Sequence, residues 1–383
     1  MPTTLTPAVT AANALTARWL DTASAEQNVV LSGAGVWPLL ALLTDAADEP
    51  ARSELLTAVD HIADPLNQAV ELIDILDGAQ ALSAALGLWV RPQLPLNPEW
   101  TAALPAGVLD TLGDQDRLDA WAETHTRGLI PRFPLAVGPD DALVLATALA
   151  AMTRWRAPFE PARLHPRTGP WSGRNLEALT RSSTNLSELS VLDAPSPVTR
   201  LVVAGEDDLD VHLLLGGSDP GALIDVGLRA LTGAMTATDG ARLPIGATAP
   251  GVVVAQAAGS TDSLSVSLPP FLIRSSHDLC RQAQLFGLHT ATDPSSGHFP
   301  RISPTPLAVG RGAQDVMAQF SAEGFKAAAV TAFAVRVAAA FPLHRNRVKT
   351  ISVTLDQPFA FMAVHRPTAL VVVVGWVADP VGS

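Results

Sequence analysis

The stretch Pro358-Phe359-Ala360-Phe361-Met362-Ala363-Val364-His365-Arg366-Pro367-Thr368-Ala369-Leu370-Val371-Val372-Val373-Val374-Gly375-Trp376-Val377-Ala378-Asp379-Pro380 decides the fold. Its apolar runs are strongly β-type, the first reaching back to Val348 and the second covering Ala369–Val377, with polar His365-Arg366-Pro367-Thr368 between them. Unbroken β-type runs of this length read as buried strands. Further back, residues 326–341 are nearly all small or apolar. From Leu189 onward short β-type runs, Val198–Ala204 and Leu209–Leu215, alternate with Gly, Asp and Pro signals. The first third is different. Ala8–Leu20, Val36–Leu43, a segment opened by Asp48-Glu49-Pro50 and running through Val59, Leu66–Leu76 and Arg117–Thr126 read as helices. Asn28–Leu31 and Ala81–Val90 read as strands, and Ala142–Trp155 is a long apolar run. Helices dominate early and strands late, so the class is α+β.

Composition bounds the function. Hydrophobic residues make up 48% of the 383, enough for a packed core and too many for disorder. The net charge of −12 argues against a nucleic-acid partner, which needs a basic face. Cys280 is the single cysteine, so no disulfide forms within the chain. No apolar stretch approaches the ~18 residues of a membrane span. No basic segment precedes an apolar run in Met1–Leu20, so the expected compartment is the cytoplasm. There is no Tyr, and Lys326 and Lys349 are the only lysines among 25 Lys and Arg. Heavy Ala and Arg usage suggests a GC-rich bacterial genome.

Five ordered segments resemble the serpins. They are Asn28-Val29-Val30-Leu31-Ser32 with Arg52-Ser53-Glu54-Leu55-Leu56; Trp121 with Thr126-Arg127-Gly128-Leu129-Ile130, then Leu143-Val144-Leu145 and Trp155-Arg156-Ala157-Pro158-Phe159; Leu268-Pro269-Pro270-Phe271 with Leu279 and Leu285-Phe286-Gly287-Leu288; Glu323-Gly324 before the Ala-rich tract; and the terminal block. The resemblance implies one domain over 1–383 with a large central sheet, two smaller sheets, surrounding helices and an exposed reactive-centre-like loop at about 324–350. It also implies a metastable state in which a protease cuts that loop and the cut loop enters the central sheet as a new strand.

By that resemblance the hinge starts at Gly324 and continues through Phe325, Lys326, Ala327, Ala328, Ala329, Val330 and Thr331. Period-two reading puts Phe325, Ala327, Ala329, Thr331, Phe333, Val335 and Val337 on one, almost wholly apolar face. Lys326, Ala328, Val330, Ala332, Ala334 and Arg336 form the other, which carries both charges. That suits a strand with one buried face, though a short helix or a permanently paired strand fits the same residues.

Four positions depart from the family. Phe325 stands where a small Thr or Ser is usual, and a bulky ring is expected to raise the entry barrier by about 1–3 kcal/mol through overpacking. Phe325→Thr is therefore expected to speed insertion. Gly35, after Ser32, replaces a Ser where the sheet opens. Thr147 replaces an Asn and Gln314 a His in the polar network beneath the sheet; both can still hydrogen-bond. Trp155 belongs to the same opening region.

The scissile bond is expected near Ala338–Ala339, which suits an elastase- or subtilisin-like protease. The tract up to Pro358 is longer than usual, so Arg345 or Arg347 could instead bait a trypsin-like enzyme. His344, Arg345, Arg347 and Lys349 form a basic island that fits an anionic ligand, an acidic surface or a solvated tip.

Other constellations carry less. His289 and His298 flank Asp293 without helical ligand spacing, and no metal site is expected. Glu206-Asp207-Asp208 with Asp210 lacks the Gly and terminal Glu of a calcium loop and reads as a solvated turn. Gly216-Gly217 lacks a following Gly-Lys-Ser/Thr, and no Gly-x-Ser-x-Gly elbow occurs. Cys280 reads as core, in an apolar helical pattern. The first expectation is thus a suicide-substrate inhibitor of a serine or cysteine endopeptidase, with no cofactor and no membrane partner. The alternatives are a non-inhibitory binder of a protein or small molecule and a serpin fold co-opted as an enzyme in a bacterial biosynthetic pathway.

Overall fold

The computed structural model describes residues 5–126, 128, 131–133, 135–138, 141–325 and 346–380. Helix α1 (Pro7–Leu20) starts at Thr6, whose hydroxyl accepts from the Val9 amide. Strand β1 (Val29–Leu31) leads into α2 (Gly33–Ala46), capped by Ser32, and α3 (Ala51–Ala58) and α4 (Pro65–Gly78) pack against α2. Next come β2 (Leu82–Val90), α5 (Pro98–Ala103), β3 (Leu109–Thr111), α6 (Gln115–His125) and β4 (Leu143–Ala151). Strands β5 (Thr153–Arg154), β6 (Glu160–Leu164), β7 (Leu176–Ser183), β8 (Leu189–Leu192), β9 (Val198–Ala204) and β10 (Leu209–Leu215) follow. After α7 (Pro220–Leu231) run β11 (Ala237–Asp239), β12 (Thr248–Ala249), β13 (Val252–Ala258), β14 (Ser263–Leu268) and β15 (Phe271–Asp278). Helix α8 (Ala283–Phe286) precedes β16 (Arg311–Phe320), β17 (Gly324–Phe325), β18 (Arg347–Thr354), β19 (Phe359–His365) and β20 (Leu370–Val377).

These strands form three sheets. The first has β3, β2, β4, β16, β17 and β5 in order, with β15 on β16. The second runs β1-β20-β19-β10-β9-β8-β11, and the third β12-β13-β18-β14-β7-β6. The β-type reading of 348–364 becomes two strands, β18 and β19, in different sheets, because Leu355–Pro358 carries the chain from one to the other. The unalternating apolar pattern of the terminal block has a direct cause. Every residue of β19 and β20 is buried, with α1, α2 and α7 packed on these strands and Phe361 stacked against Phe271 of the first sheet. No helix among the described residues is long and apolar enough to cross a membrane.

A second, smaller core lies under α6. Trp89, Leu118, Phe133 and Val144 are buried there, and Trp121 packs edge-on to Trp89 at 4.7 Å. It fastens α6 across one face of the first sheet. Two expectations about local structure need correction. Cys280 sits in a short 3-10 turn, Leu279–Gln282, and is half-buried rather than a core residue of a regular helix. The acidic run at 206–210 is a solvated turn only in part: Glu206 and Asp207 are exposed, but Asp208 and Asp210 are engaged. Asp208 accepts the Gln80 and Ala81 amides at 2.9 and 3.1 Å and lies 3.4 Å from His365 Nε2, while Arg366 grips Asp210 at 2.7 Å. Backbone donors and His365 hold the Asp208 carboxyl below its usual range, against the pull of its partial burial.

Candidate functional site

The feature that matters lies between β4 and β16. These two strands pair in parallel from Arg311↔Val144 to Asp315↔Ala148. Each then continues along its other neighbour: β4 with β2 as far as Ala151↔Leu82, and β16 with β15 as far as Phe320↔Phe271. Among the described residues, no pair joins β4 to β16 beyond Asp315. The sheet is therefore closed at one end and parted at the other, with backbone donors and acceptors facing the gap.

The mouth of that gap is filled. After Phe320 the chain reverses through Ser321–Glu323, where the Ser321 amide donates to the Gly324 carbonyl at 3.0 Å. Gly324 and Phe325 then run back between the strands, with Phe325 opposite Phe320 on one side and Thr153 on the other. A Cβ on Gly324 would stand 2.3 Å from the Thr153 carbonyl oxygen, so only glycine fits there. Trp155 secures the turn. Its amide donates to the Glu323 carbonyl at 2.9 Å and its indole N–H to the Ser321 carbonyl at 2.9 Å, while its ring packs 4.7 Å from Phe320.

This arrangement bears directly on the expectation for Phe325. The ring was expected to meet a barrier on entry, yet it is already inside, 1% exposed and edge-on to Phe361 at 6.1 Å. Phe271, Phe320 and Phe361 line the neighbourhood it occupies. Sequence reasoning singled out Phe361 as a family position but had no signal that it would support the hinge, because the contact joins residues from two sheets.

Ser32, Gly35, Thr147 and Gln314 come together at the closed end. Gln314 Oε1 accepts the Ser32 amide at 2.9 Å, and its Nε2 donates to the Ser32 carbonyl at 2.8 Å and to Thr147 Oγ1 at 3.3 Å. Ser32 Oγ donates to the Val372 carbonyl at 2.6 Å and accepts the Gly35 amide at 3.0 Å. The network is therefore complete and bridges β4 and β16 where they still pair. Gly35 makes room for it, since a Cβ there would lie 3.0 Å from Gln314 Nε2. Trp155 stands apart from this group, at the parted end.

The remaining candidates divide. Lys326, Ala327, Ala328, Ala329, Val330 and Thr331 of the hinge, Ala338 and Ala339 of the candidate bond, and His344 and Arg345 of the basic island lie outside the described residues. Arg347 is exposed at the start of β18. Lys349 is tethered: its amide donates to Asp262 Oδ1 at 2.7 Å and its ammonium to the Ala241 carbonyl at 2.6 Å. Among the described residues no three His, Cys, Asp or Glu side chains gather as a metal site.

The family model of the serpins (serine protease inhibitors) matches residues 10–168 and 252–380. The chain belongs to the serpin family. Plasminogen activator inhibitor 1 of Sus scrofa is 23% identical over 384 residues, covering 94% of this chain and 88% of that protein. Serine proteinase inhibitor 1 of Myxoma virus (strain Lausanne) is 23% identical over 363 residues, covering 91% and 86%. The match to plasminogen activator inhibitor 1 of Bos taurus, 25% identical, spans 60% of that protein. Among solved structures, native protease nexin-1 with heparin superposes with a TM-score of 0.69 at 15% identity, over 98% of each chain. Human thyroxine-binding globulin complexed with thyroxine also gives 0.69, at 14% identity and 98% of each chain. This serpin thus shares its fold with proteins named as inhibitors and with a protein named for binding thyroxine, so fold alone does not select the activity.

Proposed function

We propose that this serpin is a suicide-substrate inhibitor of a serine or cysteine endopeptidase, acting through cleavage and insertion of the loop that follows Phe325. The parted ladder with Phe325 seated at its mouth carries this reading. If the register of Phe325 were continued on insertion, Val330 would come opposite Asp315 and also opposite Ala148, residues that already face each other across the closed part. One strand can therefore pair with both neighbours without a slip. Four residues, 326–329, have open positions waiting; from Val330 onward the entering strand must part the existing ladder. In that inserted register Thr331 would come opposite Gln314 and Thr147, which hydrogen-bond to each other, and could take over that bond. A protease that has cut the loop remains esterified to its new C-terminal end, and insertion carries it away from its docking position before water completes hydrolysis. Small side chains at 327–329 keep the steric demand of entry low.

The test is a thermal melt before and after nicking with a broad-specificity protease, with mass spectrometry confirming cleavage between Thr331 and Lys349. A large rise in Tm, and a covalent adduct with an elastase-, subtilisin- or trypsin-like enzyme, are expected. An unchanged Tm after a confirmed cut rules out insertion. The second reading, a small-molecule binder, is favoured by an open cavity of about 360 Å³ between α1 and α7, lined by Asn13, Arg18, Leu228 and Arg229 among others. That reading takes over if the cut protein melts unchanged and an amphipathic anionic dye stabilises the intact protein.

A further inference from the structure

A charged cavity lies beside the last paired rung of β4 and β16. In the β15–β16 ladder Arg274 faces Met317 and Ser276 faces Asp315. The strand period of two puts these four side chains on one face of the sheet. Gln314 belongs to the other face, where it meets Ser32. Together with Pro131 and Arg132, the four line an open cavity of about 360 Å³. Asp315 is also the last residue of β16 that pairs with β4, opposite Ala148. The rest of the wall is tied to the other half of the sheet. Arg132 precedes Phe133, whose ring packs edge-on to Trp89 of β2 at 4.9 Å and whose amide donates to Asp119 Oδ1 on α6 at 2.8 Å. The cavity therefore touches both parts of the sheet that an entering strand must separate.

The charges around this cavity do not cancel one another. Arg132 and Arg274 are exposed, and among the described residues neither makes an ion pair; Arg274 Nε donates to Met317 Sδ at 3.0 Å. Asp315 Oδ1 is buried without a hydrogen-bond partner, so the carboxylate has acceptor capacity to spare. His277, next to Ser276 on β15, adds no positive charge at neutral pH, because burial holds its pKa below the ordinary value. Two guanidiniums and one carboxylate around one space are complemented by two carboxylates and one ammonium. We propose that this cavity is an effector site for an acidic α-amino acid, with its carboxylates at Arg132 and Arg274, its ammonium at Asp315 and its methylenes against Met317. Bound there, the ligand links Arg132 to β15 and β16 and holds the rung Asp315↔Ala148 shut. Loop entry past the open positions then waits for the ligand to leave. That effect rests on the insertion reading above; the binding does not. If the rung opens only in the unliganded molecule, insertion slows by the factor 1 + [L]/Kd, about tenfold at ten times Kd.

The probe is L-glutamate, titrated calorimetrically into the intact protein and compared with glutarate, which lacks the ammonium, and with inorganic phosphate. Glutamate is expected to bind about tenfold tighter than either. The isosteric variant Asp315→Asn should lose about tenfold in glutamate affinity while glutarate gains, because the carboxylate that repels glutarate is gone. Arg274→Gln, at an exposed position, should weaken both. Circular dichroism checks that each variant is folded. No binding of glutamate at about 10 mM overturns the site. Equal affinities for glutamate, glutarate and phosphate overturn it too, leaving a plain anion patch, and so does an unchanged preference for glutamate in Asp315→Asn. The second readout is insertion after nicking, followed as the rise in Tm. Glutamate at ten times its Kd should slow that rise about tenfold in the parent and leave Asp315→Asn nearly unaffected at the same concentration. Binding without slowing overturns the effector role. If nicking raises the Tm of neither protein, the insertion reading itself fails, and the titrations still decide the site.

Discussion

Replacing Phe325 with threonine separates two opposite accounts of the hinge. The ring is 1% exposed between Phe320 and Thr153 and packs edge-on to Phe361. Burying a phenylalanine contributes about 1.5–3 kcal/mol, and an edge-to-face pair about 0.5–1.5 more. Threonine keeps the β-propensity and part of the burial, so the seated hinge should weaken by roughly 2–3 kcal/mol, a shift of about 30- to 150-fold toward the expelled state. Amide exchange at Gly324 and at position 325 should accelerate by up to that factor. If the seated pairs are the nucleus from which the cut loop zips, insertion followed by stopped-flow after nicking should slow as well. Faster insertion in the variant would refute this reasoning. It would mean that the ring obstructs by overpacking, as its size alone suggests, and does not anchor.

Two further outcomes are expected. Gln314→Ala leaves the Ser32 amide and carbonyl and the Thr147 hydroxyl without their partner in a buried setting, and should lower stability by about 2–4 kcal/mol; an unchanged urea midpoint contradicts it. His212 is buried on β10 with its Nδ1 unpartnered, and burial, reinforced by nearby Arg200, pushes its pKa down to about 3. Its folded pKa lies below the unfolded value, so the stability linked to it is present above the ordinary histidine pKa of about 6.5 and is lost as pH falls toward 3, about 2 kcal/mol by pH 5. His212→Leu should remove that part of the pH dependence of urea unfolding, and a slope identical to the parent's speaks against it.

The order of elements was legible because it depends on local pattern. Val198–Ala204 and Leu209–Leu215 coincide with β9 and β10, and the helical reading of Leu66–Leu76 falls inside α4. The terminal block announced buried strands because β19 and β20 are covered on both faces. Ser32, Gly35, Thr147 and Gln314 could be named only through the family resemblance, since they come from three distant segments and carry no local motif. That Gln314 completes a network with Ser32 and Thr147 depends on the register of β4 against β16, which no single segment encodes.

What the sequence determined by itself is therefore the type of its strongly patterned elements and the α+β class, both set by side-chain period and backbone preference over short windows, whereas the hinge entered through the family resemblance. Only the tertiary structure decided that the ladder between β4 and β16 parts after Asp315, that Phe325 already occupies the mouth, and that β13, unassigned in the sequence, closes over β18. Each of these turns on which strand edges meet. Strand pairing joins residues far apart in the chain through backbone groups that every residue shares, so sequence pattern predicts that a strand exists more readily than which neighbour it chooses.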